Sequence, residues 1–197
     1  MKKLILSLCL IIGTITVQAQ QEAYQKSMLK GLEMMGNAHD LNSLQEATNL
    51  FERIALKMDK DWLARYYASL GYARMSMIAE GIKSKDNYSD QALEYALIAK
   101  ELSPNNSEVI ALEGYIYMAQ LVADPNSRGQ ILSAKIMQTY GEALRLKPDN
   151  PRAMALMAQM RYGTAQFFGS STAEACEMAQ NSLPLFKEGS QADPFEP

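Results

Sequence analysis

AKELSPNN (Ala99–Asn106) and ALRLKPDN (Ala143–Asn150) share one pattern, Ala-x-x-Leu-x-Pro-x-Asn, 44 positions apart. In each, Ala and Leu close the packed face of a helix. The proline then stops it, because it lacks an N–H and disfavours helical geometry in the residue before it. The asparagine offers a side-chain oxygen to the first amides of the next helix. Pro151 follows Asn150 at a first helical position, where a missing donor costs nothing. Asp61 stands before Trp62 in the same capping role. Helix starts at Trp62, Ser107 and Pro151 thus recur at nearly constant spacing, which is the mark of stacked helical hairpins.

Outward from this punctuation, the spacing predicts helices at 21–36 and 43–58, 62–80 and 89–102, 107–123 and 131–147, and 151–167 and 172–187. No stretch alternates as a strand bounded by hairpin turns, so the fold class is all-α. At the amino end, MKKLILSLCLIIGTITVQA joins two lysines to a short apolar run and small residues, the pattern of an export signal cleaved after Ala19. The run falls short of the roughly 20 residues that a spanning helix needs, and no later stretch reaches it. The expected organisation is a signal peptide over 1–19, a repeat domain over 20–188 with units at about 21–58, 61–104, 106–148 and 150–187, and a tail over 189–197.

Without the two leader lysines the net charge falls from −3 to −5, which leaves no electrostatic case for nucleic acid. Cys176 alone remains after the leader, so no intrachain disulfide forms, and its helical surroundings predict a small core residue.

The repeated residues resemble the tetratricopeptide repeat family. Tyr67, Leu70 and Gly71, then Ala92, Ala99 and Pro104, match its positions in the second pair; Gly114 and Tyr117, then Tyr140, Ala143 and Pro148, match in the third. Ala47 and Phe51 match in the first pair, and Ala158 and Ala175 in the fourth. The resemblance implies a right-handed α-α superhelix of about four hairpins. Arg74 and Glu113 depart from it, standing where the family favours an aromatic residue and a leucine. Each unit also exceeds the usual 34 residues. The surplus falls at GIKSKDNYSD (81–90) and ADPNSRGQ (123–130), read as long loops inside the hairpins, as in exported bacterial repeat proteins.

The same resemblance implies that first helices line a concave groove. Its groove positions fall on Arg65, Ala68, Tyr72 and Met75; on Glu108, Ala111, Tyr115 and Met118; and on Arg152, Ala155, Gln159 and Tyr162. Tyrosine and methionine there suit a peptide or helix, although each side chain has packing against the next repeat as an equal alternative.

Catalytic and metal chemistry find little support. His39 is the only histidine, in a polar loop beside Asp40, and has no second histidine or cysteine to share a metal. ADPNSRG lacks the later glutamate of a calcium loop. FFGSSTAEA has no lysine in phosphate-loop spacing and reads as a helix cap. Met154, Met157 and Met160 read as core. No enzyme, metal or cofactor is expected.

The expected function is a non-catalytic protein- or peptide-binding scaffold of the bacterial cell envelope, exported to the periplasm or beyond. One alternative is a module binding a small ligand or glycan in the aromatic groove. Another is a structural subunit of an envelope assembly, whose groove would be filled by its own terminal segment or by a second copy. Leu183, Leu185 and Phe186 on the last helix, bent by Pro184, would leave an apolar face open to self-association.

Overall fold

The computed structural model describes the backbone of residues 2–189 and 195–197, and side chains of 20–187 and 195–197. Among the described residues there are eight helices and no strand. They are α1 (Lys2–Asn37), α2 (Leu41–Lys57), α3 (Trp62–Ile78), α4 (Ile82–Leu102), α5 (Ser107–Ala123), α6 (Pro125–Leu146), α7 (Pro151–Phe168) and α8 (Ala173–Gly189). The leader reading falls on residues 1–19, whose side chains lie outside the described residues, as does most of the 189–197 tail.

The proline-asparagine endings act as the sequence reading requires. Asn106 accepts hydrogen bonds from the amides of Glu108 and Val109, Asn150 from that of Ala153, and Asp61 from those of Leu63 and Ala64. Asn150 does more than cap. Fully buried, its amide donates to Ser107 Oγ at 2.8 Å, and Ser107 Oγ donates to the Ala143 carbonyl at 2.8 Å. The end of α6, the start of α5 and the start of α7 are thereby tied into one chain of hydrogen bonds.

Hairpins α1/α2, α3/α4, α5/α6 and α7/α8 stack so that α3 touches α5 and α5 touches α7, while α2 packs on α3, α4 on α5 and α6 on α7. The buried residues follow this order as a row of clusters along the stack, not a single closed centre. The molecule is an all-α superhelix. Small residues permit the close crossings. A Cβ on Gly31 would lie 2.7 Å from Phe51 Cζ, and one on Gly114 would reach 2.7 Å from Tyr140 Cδ1 and collide with the rest of that ring. Phe51 and Tyr140 are both fully buried.

The long loops expected at 81–90 and 123–130 are absent. α4 starts at Ile82 and α6 at Pro125, so the surplus residues extend helices. Local chemistry explains the sharp corners. Gly81 takes φ 75°, a region open to glycine, and hands directly into α4. Asp124 ends α5 and also caps α6 by accepting from Ser127 N, with Pro125 at the first helical position. Arg128 then clamps Asp86 with both terminal nitrogens, at 2.6 and 2.7 Å, joining the first turns of α4 and α6. Polar letters suggest a loop, but here they serve capping and bracing. Pro184 likewise lies inside α8, which continues to Gly189.

Both departures from the repeat pattern have partners. Arg74 donates to the carbonyls of Met35 and Ala38, closing the carboxyl end of α1, where a cation is favoured. Glu113 accepts from Lys100 at 2.8 Å and from the Tyr117 hydroxyl at 2.5 Å. Burial alone would raise its carboxyl, but these donors and nearby Lys135 hold it below the ordinary range.

Two outcomes follow from these contacts. Gly114→Ala is expected to lower unfolding free energy by about 1–3 kcal/mol, the usual cost of overpacking, measured by urea denaturation. The Arg128 clamp holds the Asp86 carboxyl below its ordinary 3.8. Its stabilisation is therefore full above that pH and is lost as pH falls through the lowered folded value. The stability gap between the wild-type chain and Asp86→Asn, measured from neutral pH downward, should close over that acidic window.

Candidate functional site

Of the groove positions expected on α3, α5 and α7, most are buried or half-buried. Ala68, Met75 and Ala111 are fully buried, and Tyr72 and Met118 nearly so. Arg65, Glu108, Tyr115, Arg152 and Ala155 are half-buried. Gln159 and Tyr162 are exposed. The gradient has a simple origin: α3 and α5 each have a following first helix to cover these positions, and α7 has none among the described residues.

Tyr72 faces a polar partner inside the stack. Its hydroxyl donates to Glu52 Oε1 at 2.8 Å, and Tyr95 donates to the same oxygen at 2.9 Å. The two rings stack at 5.9 Å. Burial, reinforced by the Glu52 carboxylate, pushes Tyr72 up to about 12 and Tyr95 further. Burial also raises Tyr66, Tyr115 and Tyr140. These hydroxyls stay protonated across the physiological range and act as donors and ring faces, not as phenolates.

A charge ladder occupies the first turns of the trough helices. Arg152 Nε donates to Glu108 Oε2 at 3.0 Å, joining α7 to α5. Arg65, at the matching position of α3, donates to the carbonyls of Met58 and Asp61. Burial raises the Glu108 carboxyl; Arg152 and Lys147 oppose the shift, and Glu196 adds to it. Beside the pair, the Tyr66 hydroxyl is fully buried and has no hydrogen-bond partner among the described residues.

The short segment Phe195–Pro197, whose individual contacts the sequence reading did not name, packs back on the first hairpins. The Tyr67 hydroxyl donates to the Phe195 carbonyl at 2.9 Å. The Phe195 ring meets Tyr24 edge-on at 6.2 Å and packs against the core cluster of the first hairpins. Tyr67 itself stacks on Phe51 at 5.0 Å and lies edge-on to Tyr66 at 5.2 Å. Its ring is therefore held from two sides while its hydroxyl reaches the segment. A phenylalanine among acids and prolines was a weak signal, and nothing local tied it to residues more than a hundred positions earlier.

Other candidates are placed plainly. Asp40 caps α2 through Ser43, and His39 lies in that exposed turn. No group of three or more potential metal-ligating side chains occurs among the described residues. Ser171 Oγ accepts from Ala173 N at the start of α8. Met157 and Met160 are buried in the core. Cys176, expected in the core, is exposed; the neighbouring Ala175 takes the inward position on that face of α8. Leu183 and Phe186 are exposed on α8, and Phe167 and Phe168 at the tip of α7. No described helix is long and apolar enough to cross a membrane.

Taken together these features define a helical repeat protein. Among solved structures, the HusA haemophore from Porphyromonas gingivalis is similar, at 24% identity and a TM-score of 0.78, over 88% of this chain and 85% of that one. MamA MSR-1 C2 aligns at 15% identity and a TM-score of 0.44, over 88% of this chain and 92% of that one. No family model and no curated protein matches the sequence. The first likeness shows the fold.

The Arg152–Glu108 contact joins two repeats, so its contribution is measurable as a coupling. A double-mutant cycle with Glu108→Gln and Arg152→Gln in urea unfolding should give about 0.5–3 kcal/mol, and additive single effects would show the pair to be energetically idle.

Proposed function

We propose that the chain is a non-catalytic binding module of the cell envelope that holds an extended protein or peptide segment in its trough. The hairpins are read as stretched tetratricopeptide-like units, and export rests on the leader pattern. One observation supports the reading: a polypeptide segment lies against first helices α1 and α3, with its backbone carbonyl at Phe195 on the Tyr67 hydroxyl and an aromatic side chain against Tyr24. Backbone recognition combined with a side-chain slot is how peptide grooves gain affinity and selectivity together.

A second reading is a small, largely apolar ligand of the haem class in the same aromatic region. The likeness to a haemophore and the slot at Tyr24 and Tyr67 favour it. The assembly-subunit reading also gains from Phe195–Pro197, because it expects the groove to be filled by the chain's own segment.

The exposed groove positions on α7 provide the test. Gln159→Ala with Tyr162→Ala should reduce capture of envelope proteins by the tagged chain several-fold, with circular dichroism unchanged. Undiminished capture rejects the trough as the binding surface. A saturable Soret shift on adding haem to the wild-type protein at equimolar ratio would instead favour the small-ligand reading.

A further inference from the structure

The half-buried carboxylates among the described residues are Glu52, Asp61, Asp86, Glu108, Glu113 and Asp124. Asp61 and Asp124 accept from backbone amides as helix caps. Asp86, Glu108 and Glu113 pair with Arg128, Arg152 and Lys100. Glu52 has neither kind of partner. Its Oε1 accepts from the hydroxyls of Tyr72 and Tyr95 at 2.8 and 2.9 Å, and its Oε2 accepts from no described residue. No described lysine or arginine forms an ion pair with it.

We infer that Glu52, together with the rings of Tyr88 and Tyr95, forms a subsite for an organic cation: an ammonium or guanidinium group carried on an aliphatic stem. This subsite does not depend on the trough reading, because α2 and α4 supply its groups.

The geometry brings the needed chemistry together. Glu52 belongs to α2, Tyr88 and Tyr95 to α4, and Tyr72 to α3, on which both of those helices pack. The Tyr72 ring lies 6.5 Å from that of Tyr88 and 5.9 Å from that of Tyr95, at interplanar angles of 28° and 19°. Tyr88 and Tyr95 are seven residues apart, about two turns along one face of α4, so Tyr72 sits between them. Tyr72 is buried and forms the floor, whereas Glu52, Tyr88 and Tyr95 are half-buried and reach the surface.

A carboxylate drawn partly out of water is stabilised by donors or by an opposite charge. Two phenols serve one oxygen of Glu52, and its negative charge remains. Arg53 adjoins it in sequence but is exposed, and consecutive helical residues do not face each other. A cation donating to Oε2 would supply what Asp86, Glu108 and Glu113 already have. Its stem would lie along the tyrosine rings, which attract cations as well as hydrocarbon. A divalent metal fits poorly, since it needs several oxygen ligands, and no group of three or more potential metal-ligating side chains occurs among the described residues.

The test uses the full-length chain with isotope-labelled tyrosine rings, followed by NMR, with Tyr88 and Tyr95 signals assigned through Tyr88→Phe and Tyr95→Phe. Acetyl-lysine methylamide and acetyl-arginine methylamide should shift these signals saturably, with dissociation constants of roughly millimolar order. The neutral acetyl-norleucine methylamide should not. Glu52→Gln keeps an oxygen that accepts from both phenols and removes the charge; it should weaken binding several-fold with circular dichroism unchanged. Glu94→Gln, which removes an exposed charge next to Tyr95, should weaken it less. Tighter binding of the capped residues than of n-butylamine assigns the subsite to a polypeptide side chain, and the reverse assigns it to a free amine. Equal shifts with norleucine, equal effects of the two glutamate variants, or no saturable shift with any cation overturns the proposal. None of these outcomes bears on capture through Gln159 and Tyr162.

Discussion

The closeness with which one helix lies on the next governs this molecule. At Gly114 the backbone of α5 comes so near the ring of Tyr140 that a single extra carbon has no room, and Gly31 meets Phe51 in the same way. Each crossing buries a large aromatic residue that contributes roughly 1.5–3 kcal/mol. Between hairpins, α3 lies at a close distance on α5 and α5 on α7. From that distance follows which side chains are interior: Ala68 and Met75 are enclosed where α5 is drawn against their helix, and Gln159 is open on α7, which no further first helix follows among the described residues.

Polar groups are placed to hold this spacing. The hydrogen-bond chain through Asn150, Ser107 and Ala143 links helix ends in adjacent hairpins, and the Arg128 clamp on Asp86 does the same at the opposite edge. Glu52 collects two tyrosine hydroxyls from the second hairpin onto a helix of the first. Such hydrogen-bonded contacts resist sliding better than apolar packing alone, because their geometry is directional. Side chains fixed in this way present their donors at defined positions.

The fold was legible because its signals are local. A proline, a capping asparagine and a small residue at a crossing act within a few residues of themselves, so the periodic endings revealed hairpins, their number and their order. GIKSKDNYSD and ADPNSRGQ misled for the same reason: lysine, aspartate and asparagine are common in loops, and that Asp86 has a distant guanidinium to satisfy it is invisible in the local letters. The groove was less legible. Whether Tyr72 faces a ligand or Glu52 depends on how closely neighbouring hairpins approach, a property of the whole stack. Phe195 was least legible, since its contacts on α1 and α3 are set by tertiary packing alone.

Asp124 serves as the last cap of one helix and the first of the next, so the chain reverses direction on a single residue. A corner with no slack cannot absorb inserted residues as a bulge. Relative to a 34-residue unit, a 44-residue one has ten to accommodate, nearly three helical turns at 3.6 residues per turn. Carried mostly by α4 and α6, with 21 and 22 residues against 17 in each of α3 and α5, that length extends the second-helix layer of the superhelix by several ångströms. The face that these second helices present is therefore taller than the shorter unit can build.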